Sequence, residues 1–99
     1  MINWKQIKGF NWDAGNERKN VDKHSVNQLE AEQLFFNEPL LLLPDKKHSD
    51  KEPRYHALGI TDDGRQLHIT FTLREDNTLI RVISARPMHK KERKFYEQA

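Results

Sequence analysis

The chain has no cysteine. That excludes a disulfide framework and any thiolate metal site, and it fits a reducing compartment. Long apolar runs are also missing. The longest, Leu40–Leu43, is far too short to span a bilayer. The start, Met1–Phe10, has no uninterrupted apolar stretch and carries Lys5 and Lys8, so it does not read as a signal peptide. Glycine is scarce, and no Gly-rich phosphate loop is present; neither is an HExxH or a GxSxG motif. Internal repeats, low-complexity tracts and linkers are lacking too. Ninety-nine residues make one domain, 1–99, with one modest core.

Charge is what the sequence has in quantity, with 32% charged against 35% hydrophobic residues. The net charge of +2 decides little, but its distribution says more. Residues 1–50 carry 7 Lys/Arg against 8 Asp/Glu, a balance of −1, whereas residues 51–99 carry 10 against 7, a balance of +3. Six of the seven arginines lie in that second half. Arginine suits bidentate phosphate contacts, so the lean is towards an anionic partner. An ordinary solvated surface is the alternative.

The pattern predicts an α+β domain of two N-terminal helices, an antiparallel meander and a C-terminal helix, with the helices packed on one sheet face. Asp13 caps a first helix over about Ala14–Lys23, weakened by Gly15. Asn27 with Glu30 resembles a capping box for a second helix to about Phe36, with Leu29, Leu34 and Phe35 turned to the core. Asn37-Glu38-Pro39 stops it. Leu40–Leu43 is a short apolar strand, and Pro44–Pro53 reads as a mobile loop. The period then changes to two. Arg54–Ile60 is a strand, and Thr61-Asp62-Asp63-Gly64 is a hairpin turn. Leu67–Leu73 alternates, with Leu67, Ile69, Phe71 and Leu73 on one face and His68, Thr70, Thr72 and Arg74 on the other. Glu75-Asp76-Asn77 turns the chain into Thr78–Ala85, ended by Pro87, and Met88–Glu97 is the closing helix.

In the last strand, strict alternation puts Ile80, Val82, Ser84 and Arg86 on one face and Arg81 with Leu79, Ile83 and Ala85 on the other. Arg74, Arg86 and Arg54 are expected near each other across adjacent strands. Three guanidinium groups around one patch repel unless an anion sits among them, which makes a phosphate site. The alternative is three rim arginines paired with Glu52, Glu75 and Glu92. The closing helix carries Lys90, Lys91, Arg93 and Lys94, with Phe95 and Met88 as its anchors. Tyr96 either stacks on a base or packs half-buried. Lys23-His24 suits a helix C-terminus, and equally a phosphate contact and a proton transfer. His48, His56, His68 and His89 are further imidazoles, none at a recognised metal-ligand spacing. No metal and no cofactor are expected.

Several of these pieces resemble one family. Phe10-Asn11-Trp12-Asp13, Asn20, Lys23-His24 and Val26 are similar to the opening signature of BrnT toxins. Glu30-Ala31, Phe35-Phe36-Asn37-Glu38-Pro39-Leu40, Asp45, Glu52-Pro53-Arg54-Tyr55, Gly59 and Phe71-Thr72-Leu73-Arg74 continue the likeness. Ile80-Arg81-Val82-Ile83-Ser84-Ala85-Arg86 is its most specific piece, followed by Glu92-Arg93 and Tyr96. The likeness runs from Phe10 to about Glu97, leaving residues 1–9 as a leader outside it, with Trp4 and Ile7 either packed on the domain or loose. Departures are Asn16 for a usual lysine, Ser25 for a usual glycine and Pro87 for a usual Lys or Arg.

The resemblance implies a RelE-like fold in a cytoplasmic ribonuclease that inhibits translation, with no membrane association. It also implies a BrnA-like antitoxin that covers the toxin's basic surface and meets operator DNA through its own DNA-binding part. The expected enzyme is a metal-independent endoribonuclease. Its expected catalytic residues are Arg54, Arg74, Arg86, Glu52 and His24. Lys23, Arg81, Lys90, Lys91, Arg93, Lys94 and Tyr96 are expected to bind RNA. A non-catalytic nucleic-acid-binding or protein-interaction module is the alternative.

Overall fold

The computed structural model describes residues 2–13, 24–48 and 51–99. Five strands form one mixed sheet in the order β1-β5-β4-β3-β2. They are β1 (Gly9–Phe10), β2 (Leu41–Pro44), β3 (Tyr55–Ile60), β4 (Gln66–Arg74) and β5 (Leu79–Pro87). Among the described residues two helices accompany them, α1 (Gln28–Gln33) and α2 (Lys90–Glu97). The α+β class and the antiparallel β2–β3–β4–β5 run agree with the sequence reading. The sheet is nevertheless not purely antiparallel, because β1 pairs in parallel with β5. Two residues are too few to show a period, so β1 carried no sequence signal. The expected helix over 14–23 lies outside the described residues.

The Asn27 side chain accepts the Glu30 N–H while the Glu30 carboxylate accepts the Asn27 N–H, so the capping box is present. The α-helix it starts is short and passes into a 3-10 turn at Leu34–Phe36. Ala31 and Leu34, three residues apart, make the buried stripe. Leu29 falls on the other side of the helix from Ala31 and is 65% exposed, contrary to expectation. Leu34 nests over Gly59, where an added Cβ would stand 2.7 Å from Leu34 Cγ. That close approach explains a glycine in mid-strand. The first residues are part of the fold: Ile2 and Ile7 pack against the core, and Trp4 stacks near Phe35 with ring centroids 6.3 Å apart.

The main core lies between α1 and one sheet face, around Leu34, Leu67, Ile69, Phe71, Ile80 and Val82. The helices do not share one face, contrary to expectation: on the opposite face α2 seats Met88 and Tyr96 against Leu58, because the apolar Leu58 of β3 points away from the main core. Tyr96 rather than Phe95 anchors α2: Phe95 is 54% exposed, while the Tyr96 hydroxyl donates to the Pro39 carbonyl. No described helix is long and apolar enough to cross a membrane.

Candidate active site on the α2 side of the sheet

One irregularity decides which side chains reach this face. Thr70 pairs with Ser84 but Phe71 pairs with Val82, so Ile83 is an extra residue in β5. The bulge reverses parity within the strand. Ile80, Val82 and Ala85 are buried in the main core, while Arg81, Ser84 and Arg86 lie opposite Thr72, Thr70 and His68 on the α2 side. Strict alternation grouped Ser84 and Arg86 with Ile80 and Val82, and Arg81 with Ala85; the bulge corrects both groupings.

Arg86 and Glu92 form a bidentate ion pair at 2.8 and 2.9 Å, and Glu92 Oε1 also accepts the His89 N–H. The Arg86 guanidinium, helped by that N–H, holds the Glu92 carboxyl down at about 2 despite partial burial. Beside this pair lies His68, with Nε2 3.8 Å from Glu92 Oε2. Burial, then the charge of Arg86, pushes His68 down to about 4, outweighing the attraction of Glu92. Its imidazole is therefore neutral at pH 7, and its Nδ1 is buried with no hydrogen-bond partner among the described residues. The His56 ring packs against it, tilted by 43° with centroids 4.7 Å apart. His56 Nδ1 is 3.0 Å from Thr70 Oγ1 and Nε2 is 3.3 Å from the buried Asp45 carboxylate. The result is a row: Asp45, His56, His68, Glu92, Arg86. Its middle members, His56, His68 and Glu92, line a groove of about 420 Å³ together with Leu43, Leu58, Lys91 and Phe95.

Chemically, the row offers acid–base groups beside a cation, and the groove offers room for a ligand. A second concavity, about 350 Å³ around Trp4, Phe10 and Phe36, has Lys8 as its one charged lining residue and no acid–base group.

The other expected residues are dispersed. Arg74 pairs with Glu52 opposite Leu79, six residues along β4 from the position that faces Arg86, roughly 20 Å away. Thus Arg74 and Arg86 do not converge on one patch, and each meets one of the three acids named as alternative partners. Glu75 instead occupies the left-handed turn before β5. Arg54 precedes β3, and its carbonyl accepts the Asp45 N–H. Arg81 is held by Asn11 and Asp13, so the Asn11-Trp12-Asp13 segment clasps β5. Trp12 fixes that segment to α1 through Glu32. His24 stands two residues before Val26, which is buried in the main core across the sheet from Arg86. Lys23 lies outside the described residues. Lys90, Lys91, Arg93 and Lys94 are exposed on α2, and Arg93 donates to the Met88 carbonyl. Tyr96, expected to bind RNA, is buried and is a packing residue.

Sequence reading singled out neither His56 nor His68. A usable signal was present in the hairpin. With Thr61 opposite Arg65, counting outward puts His56 opposite Thr70 and His68 opposite Leu58, a diagonal cross-strand pair. Among the described residues, no group of three His, Asp or Glu side chains is placed to hold a metal ion.

A comparison with curated proteins gives no match. A family model described as "Ribonuclease toxin, BrnT, of type II toxin-antitoxin system" matches residues 12–92, a span that holds the whole row from Asp45 to Glu92, and the chain belongs to that family.

Proposed function

We propose that this protein is a metal-independent endoribonuclease that cuts RNA, stops translation in the cytoplasm and is neutralised by a BrnA-like antitoxin. The reading extends what family membership establishes, a ribonuclease toxin of a type II toxin–antitoxin system. The observation that supports it best is Arg86. The last residue of the Ile80–Arg86 signature reaches the α2 side of the sheet, next to a groove bordered by Lys91 and two imidazoles. A guanidinium there binds a phosphate in bidentate fashion and offsets the charge of the phosphorane. RNA supplies its own nucleophile, the 2′-OH, and the product ends are a cyclic phosphate and a 5′-hydroxyl.

Arg86 is the central cation of this reading. Arg74 with Glu52, Arg81 and the lysines of α2 serve to hold the RNA backbone along the same face. Contacts of that kind make binding fall as salt rises. Kinship to RelE-type toxins, one domain over residues 1–99, and operator contact made by the antitoxin alone belong to the same proposal.

The test is cleavage of labelled RNA by purified protein in excess EDTA, at enzyme well below substrate, with and without ribosomes. Multiple turnovers are expected, and Arg86→Ala is expected to lose both cleavage and growth inhibition. Binding without new RNA ends would favour the non-catalytic module. Activity lost in EDTA and restored by one metal would overturn the metal-free mechanism.

A further inference from the structure

The imidazoles of His56 and His68 lie tilted against each other, and the fold bears a cost at His68. His68 is largely buried with an unpartnered Nδ1, where an apolar side chain would pack without that penalty. A carboxylate stands at each end of the pair, and a groove with room for a nucleotide opens beside both rings. Resting on the ribonuclease reading above, we propose that His68 and His56 are the acid–base pair of RNA cleavage. His68 Nε2 takes the 2′-OH proton, and His56 gives a proton to the leaving 5′ oxygen.

The resting contacts lead to the reacting state in one exchange. Arg86 leaves Glu92 for the phosphate, trading one bidentate oxyanion for another. Glu92 then faces His68 with its charge uncompensated, which favours the imidazolium as the base takes its proton. The O2′–H bond breaks, and its electron pair forms the O2′–P bond. The P–O5′ bond breaks with its pair on O5′, and that oxygen takes the Nδ1 proton of a protonated His56, which rests on Thr70 Oγ1. The Asp45 carboxylate lies on the other side of that ring, 3.3 Å from Nε2. His68 gains one proton and His56 loses one; exchange with water resets both.

Among the described residues, the charged and polar groups facing the two rings are Asp45 from the segment after β2, Thr70 from β4, Arg86 from β5, and Glu92 with Lys91 from α2. Leu43 and Leu58 bring no charge.

The experiment is a pH–rate profile on a 5′-labelled single-stranded RNA of mixed sequence, with and without ribosomes. It compares the wild type with His68→Gln and His56→Gln, each shown folded by its thermal melt. Each variant is expected to lose about 10²–10⁴ in rate. His68→Gln is expected to lose the rise of rate with pH, and His56→Gln the fall. Added imidazole is expected to restore part of the rate to His68→Ala, which a purely structural residue would not allow. That rescue also serves if Gln at position 68 proves unstable. Wild-type rate and profile in both Gln variants would overturn this inference while leaving the ribonuclease reading standing. A wild type that leaves the RNA intact under every condition overturns both.

Discussion

Arg86→Met removes a guanidinium and keeps an apolar side chain in the same strand. Its partner Glu92 then keeps the His89 N–H and loses both bonds from Arg86. The gap between 4.5 and about 2 for Glu92 corresponds to roughly 3 kcal/mol at ~1.4 kcal/mol per pH unit. A quarter of the Glu92 side chain is exposed, so water recovers part of that energy. The expected loss of stability at pH 7 is about 2 kcal/mol.

The pH dependence is the sharper part. His68 is depressed from 6.5 to about 4, so the unfolded chain takes up its proton first as pH falls. The wild type is therefore fully stabilised by this group above pH 6.5 and loses that contribution as pH drops towards 4. The Glu92 contribution is intact above 4.5 and is lost only as pH falls from there through about 2. Between 6.5 and 4.5, His68 is thus the member of the two that changes. In Arg86→Met the cation is gone and the Glu92 carboxylate remains, so the His68 pKa moves up. The variant then loses less stability over this window. Its deficit of about 2 kcal/mol is expected to shrink by about 1–2 kcal/mol on going to pH 4.5. Urea unfolding at stepped pH measures this, together with an NMR titration of the His68 ring. Parallel stability curves for the two proteins, with His68 titrating at the same midpoint, would refute the coupling of Arg86, Glu92 and His68.

Three other substitutions probe the frame. Gly59→Ala drives a methyl group into Leu34, the neighbour 2.7 Å from the added carbon, and is expected to destabilise by about 1–3 kcal/mol in thermal or urea unfolding. Ser25 has φ +56°, a conformation that suits glycine, so Ser25→Gly is expected to raise stability by about 0.5–1 kcal/mol. Tyr96→Phe loses the bond to the Pro39 carbonyl, about 1 kcal/mol of stability, and leaves RNA affinity unchanged in a filter-binding assay; a fall in affinity with stability intact would return Tyr96 to the binding surface.

Local signals were legible where the chemistry is local. Asn27 and Glu30 cap α1 because both bonds close within three residues. The Asp63-Gly64 pair turns the hairpin, with Gly64 at φ +88°. What stayed hidden depends on neighbours distant in sequence. The phase of α2 could be read as Phe95-inward or Tyr96-inward, and the Pro39 carbonyl, 57 positions away, is one partner that only Tyr96 reaches. His56 and His68 are unremarkable singly, each at a polar position of its strand. They become a pair only through the β3–β4 register. The expected convergence of the arginines fails for a reason the sequence did hold: the turn at Glu75-Asp76-Asn77 sets Arg74, the end of β4, opposite Leu79 at the start of β5, with Arg86 at the far end of that strand.

The decisive case is β5. In Ile80-Arg81-Val82-Ile83-Ser84-Ala85-Arg86, strict alternation mixes charged and apolar residues on both faces. Setting Ile83 aside as a bulge restores a clean order: Ile80 in, Arg81 out, Val82 in, Ser84 out, Ala85 in, Arg86 out. The adjacent apolar pair Val82-Ile83 is the place where a period of two breaks, so the bulge leaves a trace in the sequence itself. The energetic reason is direct. Without the extra residue, one strand would have to turn either Arg81 or Arg86 into the main core, and an unpaired buried guanidinium is far costlier than one unpaired ladder position. With it, both arginines reach the same face as His68 and Arg74 while Ile80 and Val82 stay buried. The bulge is therefore the device that lets β5 serve the core and the candidate site together.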